Sequence, residues 1–302
     1  MMQRRSFVRN TTIASLGYGT INHFHQADAR IPKTDTHVHL FDLDRFHYSW
    51  LKKDSVIYRD FNLQDYDKAS ETCLIRKILF MESGADPEFA LEEVKAVSRL
   101  AQNEPRIHGI VAQIDLAQPL QHYDAFKQLR SIELLRGGRG KFLPQSKYYL
   151  DNLKLLADEG LTLDLLLAHD QLEEAAEFCQ RSQQTTFILD HLGNPNYNQE
   201  EMTGWKNGID RLASLPNVNC KISGMLSRIG KSWSVGDLQP FFNHVYHAFG
   251  PDRLMYGGDW PVVLLSDSYK AWSEAFEQIS AYLPRVEREK IYYKNADRIY
   301  KL

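Results

Sequence analysis

From residue 33 onward, short runs of apolar and β-branched residues alternate with longer segments in which apolar residues recur at the helical period. Eight runs predict β-strands: 33–39, 74–81, 107–113, 131–136, 161–167, 185–190, 217–222 and 253–256. Amphipathic segments between them predict helices, for example 88–103, 172–182 and 268–283. Strands that alternate with helices form parallel sheets, and eight such units close a barrel. The pattern therefore predicts an α/β fold, a single (β/α)8 TIM barrel over residues 30–302.

Composition narrows the class of protein. The chain has 302 residues, of which 43% are hydrophobic and 25% charged, with a formal net charge of −3. Nucleic-acid binding needs a concentrated basic face, so we expect no nucleic-acid partner. The three cysteines are far apart and indicate neither a disulfide framework nor a zinc ribbon. No apolar run is long enough to predict a membrane span.

The N-terminus, residues 1–29, differs from the rest. Arg4 and Arg5 precede Phe7, a weakly apolar segment follows, and small residues occur near Ala27 and Ala29. This order is typical of a twin-arginine export signal and predicts a periplasmic protein. The alternative is a disordered basic leader on a cytoplasmic protein.

Histidines and an aspartate occur at the ends of three predicted strands. His37 and His39 lie one residue apart in TDTHVHLFD (34–42), so a strand there directs both imidazoles to the same side. The sixth strand ends in Asp190 and His191, and the eighth ends in Asp259. Because the carboxyl ends of barrel strands meet at one rim, we expect these side chains to form one site.

Two kinds of chemistry fit this set. Three neutral imidazoles and a carboxylate can bind one divalent, zinc-like ion and leave a position open for water. Without metal, the same residues form a group of proton carriers around one acid. In both cases Asp259 is the candidate that takes a proton from water, because a carboxylate beside cations stays ionised. Each histidine alone could be structural, and only the joint placement of all four residues favours a site.

Other residues are candidates for substrate contact. The fourth strand leads into LLRGGRGKF (134–142), where Arg136 or Arg139 could present a guanidinium to a carboxylate or to ring oxygens, unless this is a solvated loop. In the seventh strand, Lys221 could hold a negative charge or an oxyanion if it faces the lumen. Three aromatic residues could pack against a sugar ring: Tyr48, Trp50 and Trp260. Three further polar residues follow predicted strands: Glu82, His169 and Asp170.

Several motifs resemble one known family. The stretches THVHLFD, LDHLGNP, CKISGM, MYGGDWPV and NADRIY are similar to those of amidohydrolase-related family 2, in the group that contains L-fuconolactonase, L-rhamnonolactonase and the dicarboxylate-pyrone lactonase. The resemblance covers about 33–302. It implies a distorted, amidohydrolase-like (β/α)8 TIM barrel that hydrolyses small cyclic esters, with a sugar lactone as the small-molecule partner and a homodimer as the family-level expectation.

The resemblance also assigns roles. His37 and His39 match the first-strand pair, His191 the sixth-strand histidine, and Asp259 the acid that activates water. If a metal is bound, the same four residues are the implied ligands; some members of the group use one divalent ion and others work without metal. One departure is that Gly140 follows Arg139 where many sugar lactonases have histidine. Two alternatives stay open: a metal-dependent decarboxylase or other hydrolase of the same family, and a sugar-binding barrel without catalysis.

Overall fold

Eight parallel strands form one sheet whose neighbours follow chain order, from β1 to β8. The structure, a computed structural model, describes residues 30–197 and 202–302. The strands are β1 Lys33–Val38, β2 Ile75–Met81, β3 Ile107–Gln113, β4 Leu135–Arg139, β5 Thr162–Leu165, β6 Phe187–Leu189, β7 Val218–Ile222 and β8 Leu254–Tyr256. Each predicted strand has its counterpart, and the predicted distorted (β/α)8 barrel is confirmed.

The last strand returns to the first through a few hydrogen bonds. Val38 pairs with Trp260 in a parallel bridge, and the His39 amide donates to the Trp260 carbonyl at 2.7 Å. Thr36 Oγ1 donates to the Tyr256 carbonyl at 2.7 Å. The barrel is therefore nearly closed, and the residues after β1 and β8 are held side by side.

Helices connect the strands and cover the outside of the sheet. They are α1 Leu63–Ser70, α2 Ala90–Ala101, α3 Asp124–Arg130, α4 Tyr149–Asp158, α5 Leu172–Gln180, α6 Met202–Ala213, α7 Met225–Ile229, α8 Val235–Phe249, α9 Tyr269–Ile279, α10 Arg285–Glu289 and α11 Asn295–Ile299. A π-helical turn, Lys290–Lys294, joins α10 to α11. None of the helices in the described part of the chain is long and apolar enough to cross a membrane.

The apolar core has two parts. The larger part lies between the sheet and the helices. A smaller cluster joins side chains from β2, β3, β6 and β8 to the C-terminal segment: Leu79, Met81, Val111, Ile188, Met255, Ile299 and Tyr300. The C-terminal segment therefore packs against side chains of these four strands.

The fourth strand begins later than its sequence pattern predicts. Residues 131–134 form the turn after α3, and the strand runs through two glycines instead of ending before them. A Cβ on Gly137 would overlap Thr162 Oγ1, and one on Gly138 would overlap Ile114 Cδ1. The glycines are required by close packing with neighbouring side chains, and this requirement is not visible in hydrophobic periodicity.

The long aromatic loop after β1 is mostly core. Phe41 and Phe61 form an antiparallel bridge, and both are buried, as are Phe46 and Tyr48. Of the aromatic residues in this loop, only Trp50 lines the cavity described below. The predicted leader, residues 1–29, lies outside the described residues.

Candidate active site

Three imidazoles surround one carboxylate oxygen at the carboxyl end of the barrel. Nε2 of His37 and Nε2 of His39 each lie 3.8 Å from Asp259 Oδ1, and Nε2 of His191 lies 4.0 Å from it. All four side chains are buried. The structure therefore brings together the three histidines and the aspartate that the sequence analysis selected.

Backbone geometry turns two of these residues into the site. His191 and Asp259 both adopt left-handed conformations, with φ of 53° and 55°. Such conformations are strained for residues with a Cβ and cluster at functional sites. Gly224, with φ of +66°, leaves room for the imidazole, because a Cβ there would lie 2.5 Å from His191 Nδ1. Gly224, the glycine of the CKISGM motif after β7, thus makes room for the side chain of His191, which follows β6.

Hydrogen bonds fix the orientation of two rings. His39 Nδ1 lies 3.1 Å from the Met81 carbonyl and 2.9 Å from the Glu82 carbonyl, both of which can only accept. Nδ1 must therefore carry a proton, and in the neutral ring Nε2 then presents a lone pair to Asp259. Ser223 Oγ lies 2.8 Å from Nδ1 of His191 and leaves its Nε2 directed at the same carboxylate.

The site favours neutral imidazoles and an ionised acid. Burial lowers the pKa of His191 to about 4, although the charges of Asp259 and Asp190 oppose this shift. Burial, followed by the positive neighbours, lowers the pKa of His37 well below its usual value. Burial alone would raise the pKa of Asp259, but His191, His39 and a hydrogen bond from Ser227 bring it below its usual value. At neutral pH the cluster therefore contains an ionised Asp259 and unprotonated rings at His37 and His191.

A layer of charged groups lies next to the histidines. Arg139 Nε donates to Glu82 Oε1 at 2.5 Å, and its Nη1 donates to Asp190 Oδ2 at 3.2 Å. Lys221 Nζ is 2.5 Å from Asp164 Oδ2 and 3.3 Å from Asp190 Oδ1. These side chains are buried, so the two cations serve to balance acids of the protein itself.

The donor set fits a divalent cation. The nitrogen–oxygen separations around Asp259 Oδ1 are too long for hydrogen bonds and are close to the separation of about 3.4–3.6 Å between ligands of a tetrahedral zinc ion. His37, His39 and Asp259 offer ligand atoms within 4.8 Å of one another. Arg139 Nη1, 3.4 Å from His37 Nε2, competes for that nitrogen.

The balance of buried charges around the cluster also fits a bound cation. Four buried carboxyl groups lie in or beside the cluster, whereas two buried basic side chains face them: Glu82, Asp164, Asp190 and Asp259 against Arg139 and Lys221. A divalent ion would offset this excess of negative charge. We conclude that the residues present fit a metal ion of this class.

A cavity of about 400 Å³ opens over the cluster. His39, His191 and Asp259 form its floor, and Arg139 and Glu82 also line it. The rest of the wall combines apolar and polar side chains: Trp50, Leu166, Val262, Leu265, Ser83, Ser227 and Arg228. Its volume suits a single small ring compound.

Not all predicted contact residues reach this cavity. Arg139 and Trp50 line it. Arg136 lies near the start of β4, at the opposite end from the site, and donates to the carbonyls of Glu133 and Leu135. It has the wrong position along its strand to meet a ligand there.

Three further candidates are buried away from the cavity. Lys221 does face acids of the barrel interior, but it is fully covered and holds Asp164 and Asp190, so it has no free position for an oxyanion. The Tyr48 hydroxyl accepts a hydrogen bond from the Asp42 amide, and the Tyr48 ring packs on Phe41. Trp260 is packed among aromatic rings of the core: Phe61, Tyr66 and Tyr269. None of these three side chains lines the cavity.

Sequence reasoning missed Ser227 and Arg228 and left the role of Glu82 open. Ser227 Oγ donates to Asp259 Oδ2. Glu82, one of three polar residues named for their position after predicted strands, accepts a hydrogen bond from Arg139. Arg228 also lines the cavity. Its adjacency to the seventh strand was the available signal, because residues after β7 must reach the same rim as those after β6 and β8.

Comparisons with known proteins agree with this architecture. A family model described as Amidohydrolase matches residues 34–302. An L-fucono-1,5-lactonase of Burkholderia multivorans is 27% identical over 292 residues, which are 89% of this chain and 96% of the relative. An L-rhamnono-gamma-lactonase of Scheffersomyces stipitis is 21% identical over 249 residues, 74% of each protein.

A solved structure is also similar. The crystal structure of an amidohydrolase from Burkholderia multivorans with bound zinc aligns with a TM-score of 0.79 and 25% identity, covering 90% of this chain and 99% of that one. Together with the named relatives, this likeness supports a hydrolase. Because the family model spans the barrel from its first strand to the C-terminus, the chain belongs to the amidohydrolase family.

Proposed function

We propose that the protein hydrolyses a small cyclic ester, a sugar (aldono-) lactone. One observation carries the proposal: a single unshared carboxylate oxygen, Asp259 Oδ1, faces three imidazole nitrogens on the floor of a ring-sized cavity. Lactonase names among the relatives support the choice of ester.

Asp259 acts as the general base. Its oxygen Oδ2 accepts a hydrogen bond from Ser227, which holds the carboxylate while Oδ1 takes a proton from water. The water oxygen attacks the lactone carbonyl carbon and forms a tetrahedral oxyanion. Collapse of the oxyanion breaks the bond to the ring oxygen, and protonated Asp259 returns the proton to that oxygen. The product is the open hydroxy acid.

The histidines favour the metal-dependent form of this chemistry. His39 Nε2 presents a lone pair, so it can bind a cation but cannot donate a hydrogen bond to an oxyanion. His37, His39, His191 and Asp259 would hold the ion. A bound divalent ion supplies Lewis-acid polarisation of the carbonyl and a lower pKa for water. Arg139 donates hydrogen bonds to Glu82 and Asp190 and so holds these two acids beside the histidine rings.

The first experiment is pH-indicator hydrolysis of L-fucono-, L-rhamnono- and D-galactonolactone by one purified sample, before and after chelation. We expect acid release on at least one lactone, loss of activity after chelation, and recovery with added zinc. Activity that survives complete removal of metal would overturn the metal-dependent form while leaving the hydrolase.

A decarboxylase is the second candidate. It is favoured by Arg228, which lines the cavity and could hold a substrate carboxylate. A crystal structure of 2,6-dihydroxybenzoate decarboxylase shares the fold, with a TM-score of 0.60 at 15% identity. Release of CO2 from a hydroxybenzoate, with no hydrolysis of any lactone, would favour this candidate.

A further inference from the structure

His37 differs from the other two histidines of the site in the surroundings of its second ring nitrogen. Nδ1 of His39 lies 2.9 Å from a carbonyl oxygen, and Nδ1 of His191 lies 2.8 Å from Ser223 Oγ. Among the described residues, Nδ1 of His37 has no hydrogen-bond partner, although the side chain is fully buried. Unsatisfied buried atoms are rare in folded proteins and are often explained by a catalytic role or a bound ion.

The carboxylate of Asp190 faces this nitrogen. Asp190 Oδ1 lies 3.6 Å from His37 Nδ1, and it too lacks a hydrogen-bond partner in the described part of the chain. A shift of about half an ångström would bring the two atoms to ordinary hydrogen-bond distance. A protonated Nδ1 and a carboxylate oxygen would then satisfy each other.

The other ring nitrogen indicates where the proton of His37 resides. Arg139 Nη1, which can only donate, lies 3.4 Å from His37 Nε2. In a neutral imidazole Nε2 is then the acceptor, so Nδ1 carries the proton and directs it at Asp190. The lone pair of Nε2 is left to face the centre of the site, 3.8 Å from Asp259 Oδ1.

Asp190 is held from its other side by a buried chain of charged groups. Lys221 Nζ lies 3.3 Å from Asp190 Oδ1, and Arg139 Nη1 donates to Oδ2 at 3.2 Å. Lys221 is anchored by Asp164, 2.5 Å away, and Asp164 accepts a hydrogen bond of 2.7 Å from the Tyr300 hydroxyl. All of these side chains are buried, so Asp190 cannot turn toward solvent.

We propose that Asp190 is a positioning residue: it accepts a hydrogen bond from His37 Nδ1 and so keeps the proton off Nε2, the atom that His37 would offer to a cation. A carboxylate in this relation to a metal-binding histidine fixes its tautomer and ring orientation and strengthens it as a ligand. Asp190 does not line the cavity, so it acts through His37 and not by contact with substrate. Its effect on turnover rests on the proposed function, whereas tautomer and cation affinity do not.

NMR of nitrogen-labelled histidine rings tests the inference directly. The full-length protein is measured metal-free and with added zinc, and a His37→Gln variant identifies the His37 signals among those of the 11 histidines. We expect the Nδ1–H tautomer of His37 in both forms of the native protein. In Asp190→Leu, which has no acceptor, the Nε2–H tautomer should become the major one of the metal-free form. A native metal-free His37 protonated at Nε2, or a tautomer that the substitution leaves unchanged, overturns the inference.

Asp164→Leu is the matched control. Asp164 is also a buried acid that holds Lys221, so its replacement removes the same charge from the same chain of groups. Its contacts are with Lys221, Tyr300 and Thr162 and not with His37. The tautomer of His37 should therefore stay native in this variant. An equal change in both variants would show a general effect of buried charge and would contradict the role of Asp190.

Zinc affinity is a second measurement that needs no turnover. Competition with a chelating dye should show an affinity about 10- to 100-fold lower in Asp190→Leu, and a smaller loss in Asp164→Leu. Native zinc affinity in a well-folded Asp190→Leu protein counts against the inference. If that variant does not fold, the tautomer of native His37 remains decisive. If these results are as expected and no lactone is hydrolysed, only the proposed function fails.

Discussion

Asp259 combines burial with a free acceptor oxygen. One oxygen accepts from Ser227, and the other faces three imidazoles at 3.8–4.0 Å. Asp259→Asn keeps the size of the side chain but removes its basic oxygen. We expect turnover of the lactone substrate to fall about 100- to 10,000-fold, which is the usual contribution of a general base.

The fold of this variant must be checked separately. Circular dichroism and thermal unfolding should be close to native, because the substitution is isosteric and releases no core packing. Retention of most activity in a well-folded Asp259→Asn protein would remove this residue from the catalytic role.

Glu93 makes stability depend on pH. It is a buried carboxyl on α2, with Oε2 accepting from the Ser83 amide at 3.2 Å and Oε1 without a partner. Burial, and then the charge of Glu82, raise its pKa to about 8 from an unfolded value of 4.5. Between these values the folded state binds more protons than the unfolded state. The contribution of Glu93 to the free energy of unfolding is therefore fully present below pH 4.5, and it is lost as the pH rises through 8.

Glu93→Gln tests this dependence. The neutral amide cannot ionise, so the native protein should lose, relative to the variant, on the order of 4 kcal/mol of unfolding free energy between pH 5 and pH 9. Urea unfolding at intervals across this range measures the difference. Parallel stability curves for the two proteins would contradict the assignment.

At the scale of elements, β4 shows how close packing selects residues. Gly137 lies where a Cβ would overlap Thr162 Oγ1 and approach the Thr162 carbonyl to 2.9 Å. Gly204 in α6 has open space around the same position. Gly137→Ala should destabilise by about 2 kcal/mol or more through overpacking, whereas Gly204→Ala should stabilise by about 0.5–1 kcal/mol through helix propensity.

The comparison of these two variants by chemical denaturation is internally controlled, because both add one methyl group to a glycine. Equal effects on the free energy of unfolding would contradict the packing account of β4.

The junction between β1 and β8 is another feature of this scale. Asp35 Oδ1 accepts from the amides of His37 and Gly258, at 3.0 and 2.7 Å, and Oδ2 accepts from the hydroxyls of Tyr66 and Tyr269. Simple strand alternation would place Asp35 beside His37. Irregular pairing between Asp35 and Val38 instead turns it toward α1 and α9, where it ties the two ends of the sheet together.

At the scale of the molecule, export by the leader stays a prediction. Fusion of residues 1–29 to a reporter that is active only after translocation should give signal, and paired Arg4→Lys and Arg5→Lys substitutions should abolish it, because the export machinery reads the two arginines. A fusion that stays cytoplasmic with both arginines intact would identify the segment as a basic leader.

Periodicity along the chain predicts the order of the eight strands and the four strand-end residues His37, His39, His191 and Asp259. Periodicity is local, and parallel barrel strands bring their carboxyl ends to one rim, so residues far apart in the chain could be assigned to one site. Their roles in catalysis stay predictions, as does the specific lactone.

Which polar and aromatic side chains are available to a ligand depends on contacts between distant parts of the chain. Arg139 and Lys221 are occupied by acids from other strands, and Tyr48 and Trp260 are covered by the core. Among the described residues that line the cavity, Arg228 is the basic side chain without a hydrogen-bond or ion-pair partner, and only its position after β7 marked it in the sequence. The choice of partner depends on distances between segments that are remote in sequence, and no local pattern of residues encodes those distances.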